Sequence, residues 1–403
     1  MKDIKTIAFY LPQYHPTQEN DNWWGAGFTE WTNVAKAAPL FRGHNQPDIP
    51  ADLGFYDLRL GETREAQAKL AKEHGIHGFC YWHYWFAGKT ILDRPFNEVL
   101  NSGKPDFPFC LAWANHTWSR IWEGHEKDLL IEQTYPGFDD HKNHFNSLIE
   151  AFKDDRYIKV DGKPLFAIFD PTDIPESKLA LEYWRELACE AGLEGLYIVA
   201  ILEDILAEDI EKWDPISHGF DSITVSNQTA IAHANPAKNG FKKIIHKLPY
   251  FKNIPFHIYD YKDALPYFLP PTPSSITNSP CIVPNWDNTP RHGKRGVILK
   301  NSCPELFRLQ VKESIHRIHN NNNCNNMIFV KSWNEWAEGN YLEPSIKHGK
   351  KFLEAIKEEL DNASRNPKYL ELNSEYPTLK NNSRKSLAHK LRDFYNHYIK
   401  WRL

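Results

Sequence analysis

Along the chain, short runs of β-branched and aromatic residues alternate with longer stretches whose apolar positions recur every three or four residues. The runs predict eight strands, at Thr6 to Leu11, His77 to Trp85, Phe107 to Ala114, Leu165 to Phe169, Leu196 to Leu202, Ser222 to Val225, Cys281 to Trp286 and Met327 to Trp333. Charged amphipathic stretches between them predict helices, most clearly over Thr63 to Glu73, Asp139 to Phe152, Glu176 to Ala191 and Glu305 to His319. This alternation points to a parallel (β/α)8 barrel of the TIM type, with an open doubly wound sheet as the alternative. Polar residues gather where the strands end: Tyr10 and Gln13, His83, Asn115 and His116, Asp170, Glu203 and Asp204, Asp287 and Asn288, and Glu335 and Glu338. In a barrel that edge carries the active site.

Two stretches read as insertions on the same face. Residues 12 to 61 separate the first strand from its helix by far more than a usual connection, and residues 226 to 280 are rich in proline with little periodicity. The run Asn320 to Asn326, asparagine except for Cys324, reads as a connector. The expected organisation is a barrel domain over residues 1–360 and a helical extension over 361–403. In that extension, Leu387, Leu391, Phe394, Tyr395 and Tyr398 share one side of an expected helix over 383–403 that also carries Arg384, Lys385, Lys390, Arg392, Lys400 and Arg402. Such a helix suits either peripheral contact with an anionic inner membrane or packing on the barrel or a second subunit.

Composition narrows the chemistry. The net charge of −4 gives no reason to expect nucleic acid, and no stretch approaches the apolar length of a membrane span. The apolar run from Ile7 to Leu11 is shorter than the core of a signal peptide, and the six cysteines are scattered without a C-x-x-C pair; both features lead to an expected cytoplasmic location. His15, His77 and His83 lack the helical spacing of a metal site, so neither a metal nor another cofactor is expected. Aromatic residues make up 14% of the chain and cluster, as in Asn22-Trp23-Trp24-Gly25 and Tyr81-Trp82-His83-Tyr84-Trp85-Phe86, which fits the mixed faces of sugars as well as a large core.

The sharpest chemical signal is FVKSWNEWAEGNYLEP at 329 to 344. Glu335 and Glu338 point to opposite faces if the strand continues, but become neighbours if the chain turns after Glu335, and Gly339 is placed to allow that turn. Two carboxyls brought together can flank one anomeric carbon. Trp333 and Trp336 beside them suggest apolar surroundings that keep one carboxyl neutral.

Six motifs occur in order: FYLPQYHPTQENDNWWGAGFTEW (9 to 31), LGFYDLRL (53 to 60), GFCYWHYWFAGK (78 to 89), WANHTWSRIWEG (113 to 124), NWDNTPR (285 to 291) and SWNEWAEGNYLEP (332 to 344). Together they resemble the WbsX-type proteins of bacterial surface-polysaccharide clusters, a glycoside hydrolase family 99-like group related to endo-α-mannosidases. The resemblance covers about residues 5 to 355. It implies a (β/α)8 barrel, with Glu335 as a base on the sugar 2-hydroxyl, Glu338 as general acid, and a 1,2-anhydro sugar as intermediate. Where that group reads W-A-N-E this chain has Trp113-Ala114-Asn115-His116, which exchanges a carboxylate for a histidine. The expected substrate-binding set is Tyr10, Gln13, Trp24, Glu30, His83, Trp85, Asn115, His116, Asp287, Arg291, Trp333, Asn334 and Glu343.

Three functions follow. A glycosyltransferase of O-antigen, lipopolysaccharide or capsule assembly suits the cytoplasmic sequence; its partner would be a glycan or lipid-linked oligosaccharide, with a nucleotide sugar as one donor, although no D-x-D or G-x-G-x-x-G is present. A cytoplasmic endo-α-mannosidase-like hydrolase suits the glutamate pair. A non-catalytic glycan-binding protein would keep the tryptophans and have no need of both glutamates.

Overall fold

The structure is a computed structural model that describes residues 3–210, 212–234, 255, 257–366, 369 and 376–378. Eight parallel staves form its centre: β1 (Lys5–Tyr10), β2 (Gly78–His83), β3 (Phe109–Trp113), β4 (Lys163–Ile168), β5 (Tyr197–Glu203), β6 (Ser222–Ser226), β7 (Asn278–Ser279 and Cys281–Ile282) and β8 (Met327–Val330). Each stave pairs with the next, and β8 pairs with β1, with Lys5 opposite Met327 and Ala8 opposite Val330. The ring closes at Pro280. Asn278–Ser279 pairs with β6, Cys281–Ile282 pairs with β8, and the proline between them, having no N–H to give to a ladder, still accepts from the Phe329 N–H through its carbonyl at 2.8 Å. This closure excludes the open doubly wound sheet.

The seventh strand departs from its expected bounds. Trp286 leaves the barrel wall and joins a separate three-stranded sheet, in which Trp286–Asp287 runs antiparallel to Val297–Lys300, itself parallel to His257–Asp260. Pro284 interrupts the run that hydrophobicity alone would extend to Trp286.

Helices Gly61–Glu73, Arg94–Ser102, Phe138–Lys153, Ser177–Glu190, Tyr261–Phe268, Pro304–Asn320 and Lys351–Arg365 form the outer layer. Phe138–Lys153 shows why they lie there: its buried residues His141, His144, Phe145, Leu148, Ala151 and Phe152 form one stripe at helical spacing. The 12–61 insertion folds into two short helices, Gln18–Trp24, capped by the Thr17 hydroxyl on the Asn20 N–H, and Glu30–Lys36. Lys351–Arg365 crosses position 360, so the extension expected from 361 begins within this helix; the stretch 383–403 lies outside the described residues, as do 235–254 of the second insertion.

Strand alternation decides which side chains face the barrel interior. Phe9 stacks on Trp82 and Phe329 inside, at 4.9 and 5.3 Å between ring centres. Their neighbours face outward: the Tyr10 hydroxyl donates to Gln67 on the first outer helix at 2.7 Å, and His83 meets His144 of Phe138–Lys153, Nε2 to Nε2, at 2.8 Å. Trp85 and Trp113 close over His144, with ring centres 4.7 Å away in each case. Burial holds His83 neutral, its pKa lowered from 6.5 to about 3.

That shift has a defined sign. A histidine whose folded pKa lies below its unfolded value contributes stability in full above pH 6.5 and loses it as pH falls toward about 3. Buried carboxyls with raised pKa act in the opposite sense, so the difference between two variants isolates the histidine. The stability advantage of the parent over His83→Gln should shrink by about 1.4 kcal/mol per pH unit below 6.5. Urea denaturation at pH 6.5, 5.5 and 4.5 measures it; a pH-independent difference would mean that His83 titrates normally in the folded chain.

Candidate active site

The segment after β8 is tied to the barrel rim before it reaches its carboxylates. Trp333 N–H donates to the Phe9 carbonyl at 2.8 Å, and the Asn334 amide clamps Leu11 from both sides, accepting from its N–H at 2.8 Å and donating to its carbonyl at 3.0 Å. Asn334–Glu335 then pairs antiparallel with Asn340–Tyr341 around a 3-10 turn, Trp336–Glu338. Gly339 ends the turn in the left-handed region at φ 54°, where a Cβ would lie 2.9 Å from the backbone nitrogen of Asp287. The turn brings both glutamates to one side, with their carboxyls in hydrogen-bonding reach of each other.

They face a cavity of about 510 Å³ at the C-terminal end of the barrel, a volume usual for small-molecule sites. Trp24, Trp82, Trp118, Trp122 and Trp286 line it together with Tyr84 and Phe169. Trp24 and Trp122 stack at 4.7 Å, and the indole N–H groups of Trp24, Trp118 and Trp286 are buried without a protein partner among the described residues. Unpaired donors in an aromatic wall match what a sugar brings, an apolar face rimmed by hydroxyls.

Charge in this mouth is arranged around two cations. Arg291 reaches Glu338 at 2.5 Å and Glu30 at 3.2 Å, with its guanidinium 5.2 Å from the Trp122 ring centre. Lys331 stands 3.5 Å from Glu335 and 3.7 Å from Glu203. Four carboxyls therefore share two cations, and the protonation states divide. Burial pushes Glu338 well above its usual range; Arg291 opposes this and the negative charge of Glu335 reinforces it, so despite the short contact Glu338 keeps its proton. For Glu335 burial also acts upward, but Lys331, the Glu338 hydrogen bond, Arg291 and the Trp82 N–H at 3.0 Å outweigh it and hold the carboxylate ionised. Burial raises Glu30 against Arg291, and Glu203 is pushed up to about 7. Burial keeps His116 and His292 neutral, each at about 4.

Of the residues singled out from sequence, Gln13, Trp24, His116, Arg291, Glu335 and Glu338 line the cavity. Glu30 stands behind them, fully buried on Arg291. The others are turned elsewhere. Tyr10, His83 and Trp85 fall on the outward parity of their strands, with Trp85 donating to Asp140. Asn115 is consumed by Tyr135 and the Asp170 backbone, Asn334 by Leu11, and Trp333 packs on Phe79 at 5.0 Å. Glu343 accepts from Tyr56, Gln67 and Trp336 in a closed buried network, so Trp336 serves that carboxyl and does not wall the Glu335–Glu338 pair. Asp287, held by His44 at 2.7 Å and Gln46 at 2.9 Å, faces a smaller cavity of about 150 Å³ beyond Gly339. The cavity also recruits Trp82, Tyr84, Gln228 and Lys331, together with Glu203, Asp204 and Asn288, strand-end residues outside the expected substrate-binding set. Parity was the available signal, since Trp82 and Tyr84 alternate with His83 and Trp85, and Lys331 is the lone cation next to an apolar strand.

The family description "Glycosyltransferase WbsX" matches residues 6–356. Two proteins, each named "Uncharacterized protein WxcX", from Xanthomonas campestris pv. campestris strains B100 and ATCC 33913, are 34% identical over 358 residues, which is 89% of this chain and 50% of theirs. The chain thus spans about half the length of these relatives. Among solved structures, the GH99 endo-alpha-mannosidase from Bacteroides thetaiotaomicron aligns over 91% of this chain and 98% of its own at 15% identity and TM-score 0.52. A "Glycoside hydrolase-like protein" aligns over 89% and 94% at 14% identity and the same TM-score. These structures share the barrel fold.

The Arg291 bridge has a measurable weight. Arg291→Met leaves Glu30 buried without its cation and the neutral Glu338 without its hydrogen-bond donor, and should cost about 3 kcal/mol, the low end for a broken buried pair because Glu30 can take up a proton. Adding Glu30→Gln should recover part of that loss, and a denaturation double-mutant cycle reads the coupling. Strict additivity would show that the bridge is not cohesive.

Proposed function

Since the chain belongs to the WbsX glycosyltransferase family, we propose that it is a carbohydrate-active enzyme of bacterial surface-polysaccharide biosynthesis, with Glu335 and Glu338 acting at a glycosidic centre. The observation that carries this reading is a pair of carboxyls on one turn, in hydrogen-bonding reach of each other at the wall of a tryptophan-lined cavity, with Glu335 held toward its anion and Glu338 toward its neutral form. Breaking a glycosidic bond needs a proton on the leaving oxygen and electrons for the anomeric carbon. Glu338, neutral, supplies the proton. Glu335, ionised, takes the proton of the sugar 2-hydroxyl while that oxygen closes on the anomeric carbon, giving the 1,2-anhydro sugar implied by the mannosidase resemblance. In the second half an acceptor hydroxyl gives its proton to Glu338 and opens the ring, and the 2-oxygen recovers its proton from Glu335. The configuration is retained, which fits carboxyls far closer than the roughly 6.5–9.5 Å that inversion requires.

The low pKa of Glu335 makes it a weak base toward an ordinary hydroxyl. Its proton transfer therefore belongs late in the step, when positive charge on the anomeric carbon has made the 2-hydroxyl acidic. Hydrolysis and transfer share this scheme and differ only in whether water or a sugar hydroxyl accepts. The family description favours transfer, to or from a glycan or lipid-linked oligosaccharide; the likeness to a GH99 endo-alpha-mannosidase fold supports hydrolysis as the second reading. A non-catalytic binder would gain nothing from an unlike pair of carboxyls. A cytoplasmic location suits a biosynthetic role, and the basic sequence of residues 383–403 suits contact with an anionic membrane surface.

Glu335→Gln and Glu338→Gln should each lower turnover by roughly 10²-fold or more with the circular dichroism spectrum unchanged. Purified protein incubated with lipid-linked oligosaccharides and nucleotide sugars, followed by mass spectrometry, separates transfer from release of reducing sugar. A substrate with an activated leaving group needs no acid, so it should restore Glu338→Gln and not Glu335→Gln. A 2-deoxy or 2-fluoro analogue should bind without reacting. Normal turnover in both variants would sink the assignment.

A further inference from the structure

Lys331 is the first residue after β8, on the inward parity of Phe329, and its side chain is 7% exposed. Its backbone is pinned: the N–H donates to Ile282 at 3.0 Å and the carbonyl accepts from Asn340 at 2.7 Å. Its ammonium is not. At 3.5 Å from Glu335 and 3.7 Å from Glu203, it is outside the usual 2.7–3.2 Å of a committed N–H to oxygen bond on both sides, and it sits 5.1 Å from the Trp82 ring centre. Each carboxyl has a second anchor that keeps it in place, Trp82 N–H for Glu335 and the Gln228 amide at 2.6 Å for Glu203. A long side chain with a fixed root and a free tip between two fixed acids can shift toward either one.

We propose that Lys331 is a positioning residue shared between Glu335 and Glu203, so that ionisation of Glu203 draws the ammonium away from Glu335 and weakens the hold that keeps Glu335 anionic. The other groups facing this centre are Glu338 on the same segment, Cys281 of β7, Asp204 beside Glu203, and His116 after β3. His116 is neutral and the Cys281 thiol is pushed up to about 12, so neither changes charge near neutrality. Asp204 accepts from the Thr229 N–H at 2.7 Å and from the Thr229 hydroxyl, and both bonds oppose the upward push of burial on its carboxyl. Glu338 retains its proton through burial and the Glu335 charge. Glu203, pushed up to about 7, is then the group whose ionisation falls in the physiological range. The proposal concerns how the Glu335 carboxylate is held, and it rests on the reading of Glu335 as a working group only for its consequence in catalysis.

The test uses no substrate, so its failure is separate from failure of the catalytic reading. Glutamate 13Cδ shifts of the full chain, assigned with single Glu→Gln variants, are followed from pH 5 to 9. In the parent, the Glu335 resonance should show an inflection at the Glu203 midpoint near pH 7. Glu203→Gln should abolish that inflection. In Lys331→Met the inflection should also vanish, and the Glu203 midpoint should rise by about one unit or more as its counter-ion is removed. An inflection that persists in Lys331→Met would mean direct coupling of the two carboxyls and would overturn the proposal. So would the absence of any inflection in the parent. Should Lys331→Met fail to fold, Lys331→Arg replaces it: a guanidinium that locks onto one carboxyl should diminish the inflection, and an unchanged one counts against the idea.

Discussion

The barrel mouth buries more carboxyls than it has cations to neutralise them. Glu30, Glu203, Glu335 and Glu338 meet Arg291 and Lys331 in a space walled by indole rings, where an unpaired charge is expensive. The shortfall is met by retained protons, and their distribution is set by position. Glu335, beside Lys331 and the Trp82 N–H and within the field of Arg291, stays ionised; Glu338, beside that negative charge, does not. One structural fact thus separates a neutral carboxyl from an anionic one, the division that the proposed glycosidic chemistry requires. Holding these acids out of water costs stability.

Much of the remaining architecture fixes those four carboxyls. The ring has to close for β8 to lie beside β1, and it closes through a proline whose carbonyl still bonds while its nitrogen cannot. Asn334 grips Leu11, Gly339 passes within contact of Asp287, and Asn340 ties the returning strand to Lys331 and Asn285 at 2.7 Å each. The first insertion contributes Gln13, Trp24 and Glu30 from outside the barrel, so that Arg291 is held between an acid of the insertion's second helix and an acid of the turn after β8. Beneath the site, Glu343 with Tyr56, Gln67 and Trp336 forms a closed polar network that supports the turn without entering the cavity.

The histidine at 116 has a different relation to this charge balance. A carboxylate there would add to an existing excess of acids near Lys331, whereas the neutral imidazole adds none. Its Nδ1 is buried without a partner among the described residues, and its ring lies 5.3 Å from Phe169, which makes it part of the wall.

The sequence by itself determined the alternation of strands and helices, the barrel class and the glutamate pair, because those depend on short-range periodicity and on a turn that a glycine permits locally. It also carried the family resemblance through motifs spread from the first strand to the last. What it did not determine is which strand-end residues look inward. Tyr10, His83 and Trp85 appear as eligible as Trp82, Tyr84 and Lys331 until the register of each strand on the closed ring is known, because one step of alternation moves a side chain from the cavity to the helix layer. The charge state of the pair was equally out of reach. It arises from Glu30, Glu203, Arg291 and Lys331, residues separated by as much as 301 positions and joined only by the fold, and electrostatic energy depends on distance in space.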